Sequence, residues 1–380
     1  MFAEKKLKIY NKPDMYQSPK KVEELESIRG IAAFLVVFFH IPKWNPVLDT
    51  SFINNSYLMV DLFFVISGFV ICGAYSTKIK SKKDLMRFQF LRLGRLYPVH
   101  IVFLIAFLII EIVKYVAFKE FKLSGQNSTP FLENDFWAFI DNLLLIQSVL
   151  PNSVPTYNFP AWSISVEFYT YAAFGLIVLF FGNIRYVIFV AISLVSLALL
   201  VTNFSFGSER LLRCFIGFFI GCLTCGITTR TNVSLPPILS LLAFLAIVVF
   251  IASRRDGDRE ILIYFLTALL IIAICLSKPS NFRKILKFNL FTWLGRISYS
   301  VYMSHAAVIW FVNQIFRVLL KKAESVGMDG KAYPQLSIPE TLIGCVAIFV
   351  IILVVSEITY RLVERPFRQK SRDFAFKRIV

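Results

Sequence analysis

Charge is what this sequence has least of. Of its 380 residues only 17% are Asp, Glu, Lys or Arg, against roughly 25% in an ordinary soluble domain. With 57% hydrophobic residues and a mean hydropathy of +0.67, that shortage excludes a soluble globular fold. Cysteine is sparse and badly placed for cross-links. Cys72, Cys214, Cys222, Cys225, Cys275 and Cys345 all lie in apolar runs, so no disulfide framework is expected. Cys222-x-x-Cys225 has metal or redox spacing, but it sits in an apolar helix with no histidine near, and small-residue packing is the expected role. No metal site is expected elsewhere. The first 27 residues are polar and mixed in charge, without an apolar core and cleavage site, so no cleavable signal peptide is expected. Neither an internal repeat nor an appended soluble domain is evident.

What is present is a series of apolar runs along the whole chain, with 40 Phe among them. They indicate an all-α membrane protein, a polytopic bundle of about ten transmembrane helices. The expected spans are about 28–42, 56–77, 97–118, 163–181, 185–202, 210–227, 235–253, 260–277, 294–319 and 338–362. Residues 136–150 are apolar but interrupted by Asp141 and Asn142, and are expected to be interfacial or re-entrant. With the N-terminus inside, 28 of the 41 Lys and Arg fall on the inner side: in 1–29, 78–95, Arg185, Arg230, 278–296 and 361–380. Membrane proteins concentrate Lys and Arg in cytoplasmic loops. The net charge of +17 therefore reads as topology rather than as nucleic-acid binding. Both termini are expected in the cytoplasm and the protein in the plasma (inner) membrane, multi-pass. The expected division is a cytoplasmic tail 1–26, a membrane domain 27–363 and a basic cytoplasmic tail 364–380. The segment 119–162 is the sizeable outer loop, with "SGQNSTP" as its flexible part.

A helix rises about 1.5 Å per residue, so topology gives each polar residue a depth. In "ESIRGIAAFLVVFFH", Arg29 lies near the inner face and His40 roughly 16 Å further out. "VDLFFVISGF" brings Asp61 to about the level of His40, with Ser67 and Gly68 deeper. "RFQFLRLGRLYP" sets Arg92 and Arg95 three apart at the inner face. "FPAWSISVEFYTY" returns Glu167 to the outer half, and "LGRISYSVYMSH" carries Arg296 inside and His305 deep. The pattern is a cationic ring of Arg29, Arg92, Arg95 and Arg296 below a cluster of His40, Asp61, Glu167 and His305. Ionisable groups in membranes face cavities or one another. A plainer reading stands beside each. The arginines suit lipid headgroups, Asp61 a helix start and Ser163 a helix cap with Glu167 completing its first turn. His40 suits an interfacial helix end and His305 a hydrogen-bonded core. His100 is read as structural.

Six stretches together resemble the acyltransferase-3 family of membrane acyltransferases. They are "IRGIAAFLVVFFH", "VDLFFVISGF", "RLGRLYP", "AWSISVEFYTY", "LGRISYSVYMSH" and "VERPFR", in family order from residue 26 to 368. The fourth departs from the pattern of many members, with Phe168 after Glu167. The resemblance implies acyl transfer, acetyl being the expected group, from cytoplasmic acyl-CoA to a carbohydrate hydroxyl on a polysaccharide, lipopolysaccharide or lipid-linked sugar. Some members carry a fused hydrolase-like domain; this chain ends at Val380 without one, so a stand-alone enzyme or one with a separate partner is expected.

In that frame Arg29, Arg92 and Arg95 are expected to hold the CoA phosphates. His40 is the expected base or transient acyl carrier, its tautomer held by Asp61 or Glu167. Tyr302, Ser67 or a helix terminus is a candidate for the oxyanion. Tyr97, Ser165, Tyr299, Ser300 and His305 are further supporting or acceptor-site candidates. Tyr157, Phe159 and Trp162 suit a sugar ring as well as an aromatic belt. The expected partners are acyl-CoA, a carbohydrate or glycolipid acceptor and membrane lipids, with no permanently bound cofactor and no nucleic acid. The competing class is a proton-coupled transporter or flippase, which the lack of inverted-repeat signs weakens. A membrane adaptor for polysaccharide assembly is a third.

Overall fold

Apolar residues with few turn-formers fold here almost entirely as helix. The computed structural model describes residues 22–121, 129–255, 260–327 and 330–378. Residues 1–21 of the expected N-terminal tail, and most of "SGQNSTP", lie outside these. The helices are α1 (Glu23–His40), α2 (Ser51–Asn54), α3 (Met59–Tyr75), α4 (Lys82–Phe121), α5 (Phe136–Leu143), α6 (Trp162–Phe180) and α7 (Arg185–Val201). They continue with α8 (Glu209–Arg230), α9 (Leu239–Ser253), α10 (Leu262–Leu276), α11 (Asn281–Leu286), α12 (Asn289–Gln314), α13 (Ile338–Thr359) and α14 (Arg365–Arg378). Among the described residues the sheet content is one antiparallel pair, Glu324–Val326 with Ala332–Pro334.

Each of the ten expected spans is occupied by a helix. Five helical stretches are long and apolar enough to cross a membrane: Ser51–Tyr75, Lys82–Glu120, Phe159–Phe180, Glu209–Arg230 and Ile338–Lys377. α7, α9 and α10 are apolar but shorter. The outward surface is apolar, as lipid contact requires. On α13, Ile343, Val346, Val350 and Val354 are exposed at helical spacing, while Ile348 and Ile352 on the opposite face are fully buried.

Helix reaches beyond the expected spans at three places. The "loop" 78–95 is mostly helix: α4 runs 40 residues without interruption, Pro98 included. That is about 60 Å of helix, twice the ~30 Å hydrocarbon thickness. The "tail" after residue 364 is helical as well, because it has a partner in the projecting end of α4. Phe90 meets Phe374 at 5.3 Å between ring centroids, and the Arg87 guanidinium lies 5.1 Å over the Phe376 ring. α1 likewise begins inside the expected tail, where Glu23, Glu24 and Glu26 occupy its first turn and complement the helix dipole. Residues 136–150 form only the eight-residue α5, capped by Asp135, whose carboxylate accepts from the Ala138 amide at 2.7 Å.

The tightest helix crossings rest on glycine. A side chain at Gly68 would place its first carbon 1.8 Å from the Phe218 carbonyl oxygen, and one at Gly221 2.1 Å from that of Val65. So α3 and α8 pack backbone to backbone. α1 and α12 do the same at Gly30 and Gly295: the first carbon of a side chain would fall 2.7 Å from Gly295 N in one case and 2.2 Å from the Glu26 carbonyl oxygen in the other.

Candidate active site

Equal spacing builds the centre of the site. Gly30 and Gly295 fix the contact of α1 with α12, and His40 and His305 each lie ten residues further along. The two helices run side by side in the same direction, so both imidazoles arrive at one level, with ring centroids 4.8 Å apart. His40 Nδ1 lies 3.2 Å from His305 Nε2 and 2.9 Å from the Val36 carbonyl oxygen. His305 Nδ1 lies 2.6 Å from the Tyr302 carbonyl oxygen. His305 is fully buried. The Phe159 ring also packs against His40, ring centroids 5.2 Å apart, and is itself 40% exposed.

The carboxylates expected to hold His40 are engaged elsewhere. Asp61, fully buried, accepts two hydrogen bonds from Arg213, at 2.7 and 3.2 Å, and one from the Tyr264 hydroxyl at 2.9 Å. Glu167 accepts from the hydroxyls of Ser67 and Tyr171, both at 2.5 Å. A buried carboxylate needs compensation for lost hydration, and a guanidinium fork gives Asp61 more than one imidazole would. Neither Arg213 nor Tyr264 belongs to a motif that marks it in the sequence. The signal for Arg213 is position: a cation near the start of its apolar helix, as Asp61 is near the start of its own.

A cavity is walled by α1, α3, α4, α6 and α12. Its interior measures about 60 Å³, within a concavity enclosing about 680 Å³ to its open mouth. Arg29, Arg95, Ser67, Glu167, Tyr171, Tyr299 and Tyr302 are among its walls. Neither the Arg29 nor the Arg95 guanidinium makes a hydrogen bond or ion pair among the described residues. His40 is not one of the lining residues; Tyr302, whose carbonyl oxygen faces His305, is the wall nearest the histidine pair in sequence.

The remaining expected residues divide. Arg92 does not line the cavity: it donates to the Tyr75 hydroxyl at 3.1 Å and stacks over the Tyr75 and Phe88 rings. Arg296 is exposed, so the expected ring of four arginines reduces to two at the cavity. Ser163 does not cap α6, which begins at Trp162 without a side-chain cap; its hydroxyl donates to the Tyr302 hydroxyl at 2.9 Å. Tyr302 in turn donates to the Pro160 carbonyl at 2.8 Å. Trp162 lies under the Arg213 guanidinium at 5.5 Å. Tyr97, Ser165 and Tyr299 tie helices to neighbouring backbone, donating to the carbonyls of Leu143 at 2.9 Å, Leu145 at 2.6 Å and Leu96 at 2.5 Å. Ser300 donates to buried Glu364 at 3.0 Å, the first residue of "ERP". His100 bonds the Asn142 carbonyl at 2.8 Å, the structural role expected of it. Tyr157 is buried and donates to backbone carbonyls of Asn134 and Asp135.

The acyltransferase-domain family model matches residues 22–357. The chain belongs to the acyltransferase-3 family. Among curated proteins, this acyltransferase-3 member is 26% identical to the O-acetyltransferase OatA of Staphylococcus aureus, over 97% of its own length and 61% of that protein's. It is 21% identical to the peptidoglycan O-acetyltransferase OatA of Listeria monocytogenes, over 95% of its length and 58% of that protein's. The chain thus spans about three fifths of the relatives it matches. No solved structure matches it.

Proposed function

We propose that the protein is a membrane O-acyltransferase, moving an acyl group, acetyl first among candidates, from cytoplasmic acyl-CoA to a carbohydrate hydroxyl at the outer face. One observation carries this: two guanidinium groups that make no hydrogen bond or ion pair among the described residues line a cavity whose wall, Tyr302, adjoins the His40–His305 pair. Unpaired guanidinium forks suit the oxygens of an anionic donor. The kinship with OatA, named as an O-acetyltransferase, supports the same reading.

Ten spans with both termini in the cytoplasm fit this arrangement. Segments assigned to the inner side pack on one another: Glu24 pairs with Arg283 at 2.8 Å, and α14 lies on the projecting end of α4. Segments assigned to the outer side do likewise, as in Tyr57 with Glu260 and the Arg254 guanidinium with the Asn55 side chain at 2.8 Å.

In this mechanism Arg29 and Arg95 anchor the donor from the cytoplasmic end, and its thioester reaches the level of Tyr302. His40 takes the proton of the acceptor hydroxyl as its oxygen attacks the thioester carbon; the new C–O ester bond forms, the C–S bond breaks, and the CoA thiolate leaves with the proton. Such a base contributes ~10²–10⁴ in rate. An acyl-His40 intermediate is the variant route, favoured if acylated protein accumulates without acceptor. Purified protein given acetyl-CoA and a glycan acceptor should release CoA, and His40→Ala should abolish the release. No release from the wild-type protein with any glycan acceptor points to a transporter, and full release from His40→Ala removes the base.

A further inference from the structure

The hydrogen bonds around the histidine pair fix which nitrogen of His40 works. A carbonyl oxygen only accepts. His305 Nδ1, at 2.6 Å from the Tyr302 carbonyl oxygen, therefore carries a hydrogen, and in neutral His305 the Nε2 atom is a bare acceptor. That acceptor lies 3.2 Å from His40 Nδ1, which also faces the Val36 carbonyl oxygen at 2.9 Å. Flanked by two acceptors, His40 Nδ1 must carry a hydrogen. The reverse assignment, with a cationic His305 donating from Nε2, would point the bare lone pair of His40 Nδ1 at the Val36 oxygen. Neutral His40 then has its own lone pair on Nε2, which makes no hydrogen bond among the described residues.

We infer that His305 is a positioning residue: it holds His40 as the Nδ1–H tautomer and leaves Nε2 free as the atom that accepts a proton or an acyl group. This rests on the reading of His40 as the reacting imidazole, and it applies to both routes. The partner commonly expected behind a working imidazole is a carboxylate. Here the buried acceptor is a second, neutral imidazole, set in register by the equal spacing of Gly30 to His40 and Gly295 to His305. The Val36 carbonyl alone supplies one acceptor but belongs to the preceding turn of the same helix; His305 comes from another helix and fixes the ring plane as well.

The chain has three histidines, so selective ¹⁵N-histidine labelling gives three ring-nitrogen pairs, assigned by the variants His40→Ala and His100→Gln. The wild-type His40 ring should show a protonated Nδ1 and an unprotonated Nε2 at neutral pH. In His305→Phe the ring should become a mixture of tautomers, and kcat for CoA release should fall ~10²-fold, within the contribution of a general base, with KM for acetyl-CoA unchanged. His305→Gln, whose amide oxygen accepts a hydrogen bond, should recover most of the rate. An Nε2–H tautomer in wild-type His40 overturns the inference, and that spectrum serves even if the His305 variants do not fold. So does an unaltered kcat in folded His305→Phe while His40→Ala is dead, an outcome that leaves the base itself intact. Full activity in His40→Ala removes the base and the inference together.

Discussion

Gly30 and Gly295 meet where α1 crosses α12, so closely that a side-chain carbon on Gly295 would fall 2.2 Å from the Glu26 carbonyl oxygen. Everything above that contact depends on it, because the two histidines are carried in parallel from it. Gly295→Val must force the helices apart, at a cost of about 1–3 kcal/mol or more. The expected outcome is a lowered melting temperature in detergent together with loss of CoA release. Retention of both would show that the crossing tolerates separation.

Arg29 and Arg95 share the cavity and make no hydrogen bond or ion pair among the described residues. Removing either should weaken donor binding rather than chemistry. Arg29→Ala and Arg95→Ala are each expected to raise KM for acetyl-CoA ~10-fold or more, the worth of about 1.4 kcal/mol of charge-assisted hydrogen bonding. Lysine should restore the charge but not the fork, so Arg95→Lys should fall between. Steady-state kinetics at varied acetyl-CoA check this; an unchanged KM in all three variants would place the donor elsewhere.

Asp61 and Arg213 form an ion pair at 2.7 Å in which the carboxylate is buried and the guanidinium mostly so. Truncating one partner strands the other, a loss of about 3–5 kcal/mol. Asp61→Ala and Arg213→Ala should therefore both melt far below wild type. Replacing both with apolar residues, as in Asp61→Leu with Arg213→Met, should destabilise less than either single change. Melting curves of the three variants decide it.

Phe159 packs against the His40 ring and is itself partly exposed. If sugars approach from that side, Phe159→Ala should raise KM for the acceptor several-fold, as loss of a stacking ring worth ~1 kcal/mol would, and leave KM for acetyl-CoA unaltered. Kinetics with each substrate varied in turn separate the two.

The helices were legible because lipid imposes a severe rule: a spanning segment must satisfy its own backbone and present apolar side chains. Arg29, His40 and His305 were legible because a charged or titratable group inside such a segment demands a reason. The extension of α4 was not, since residues 78–95 look like a basic loop until α14 is seen packed on them. Nor was the partner of His40. Asp61 and Glu167 have suitable depth and charge, yet depth says nothing about azimuth, and both carboxylates turn toward other donors.

The sequence alone determined a helical membrane protein, its family and the residues too polar for their surroundings, because hydropathy and motif order are properties of the chain taken one segment at a time. Only the tertiary structure decided which polar groups meet. It joined His40 to His305, gave Asp61 to Arg213, and left two arginines open to a cavity. Hydrogen bonds depend on a few tenths of an ångström and on direction, and those are set where helices cross, at contacts between residues hundreds of positions apart.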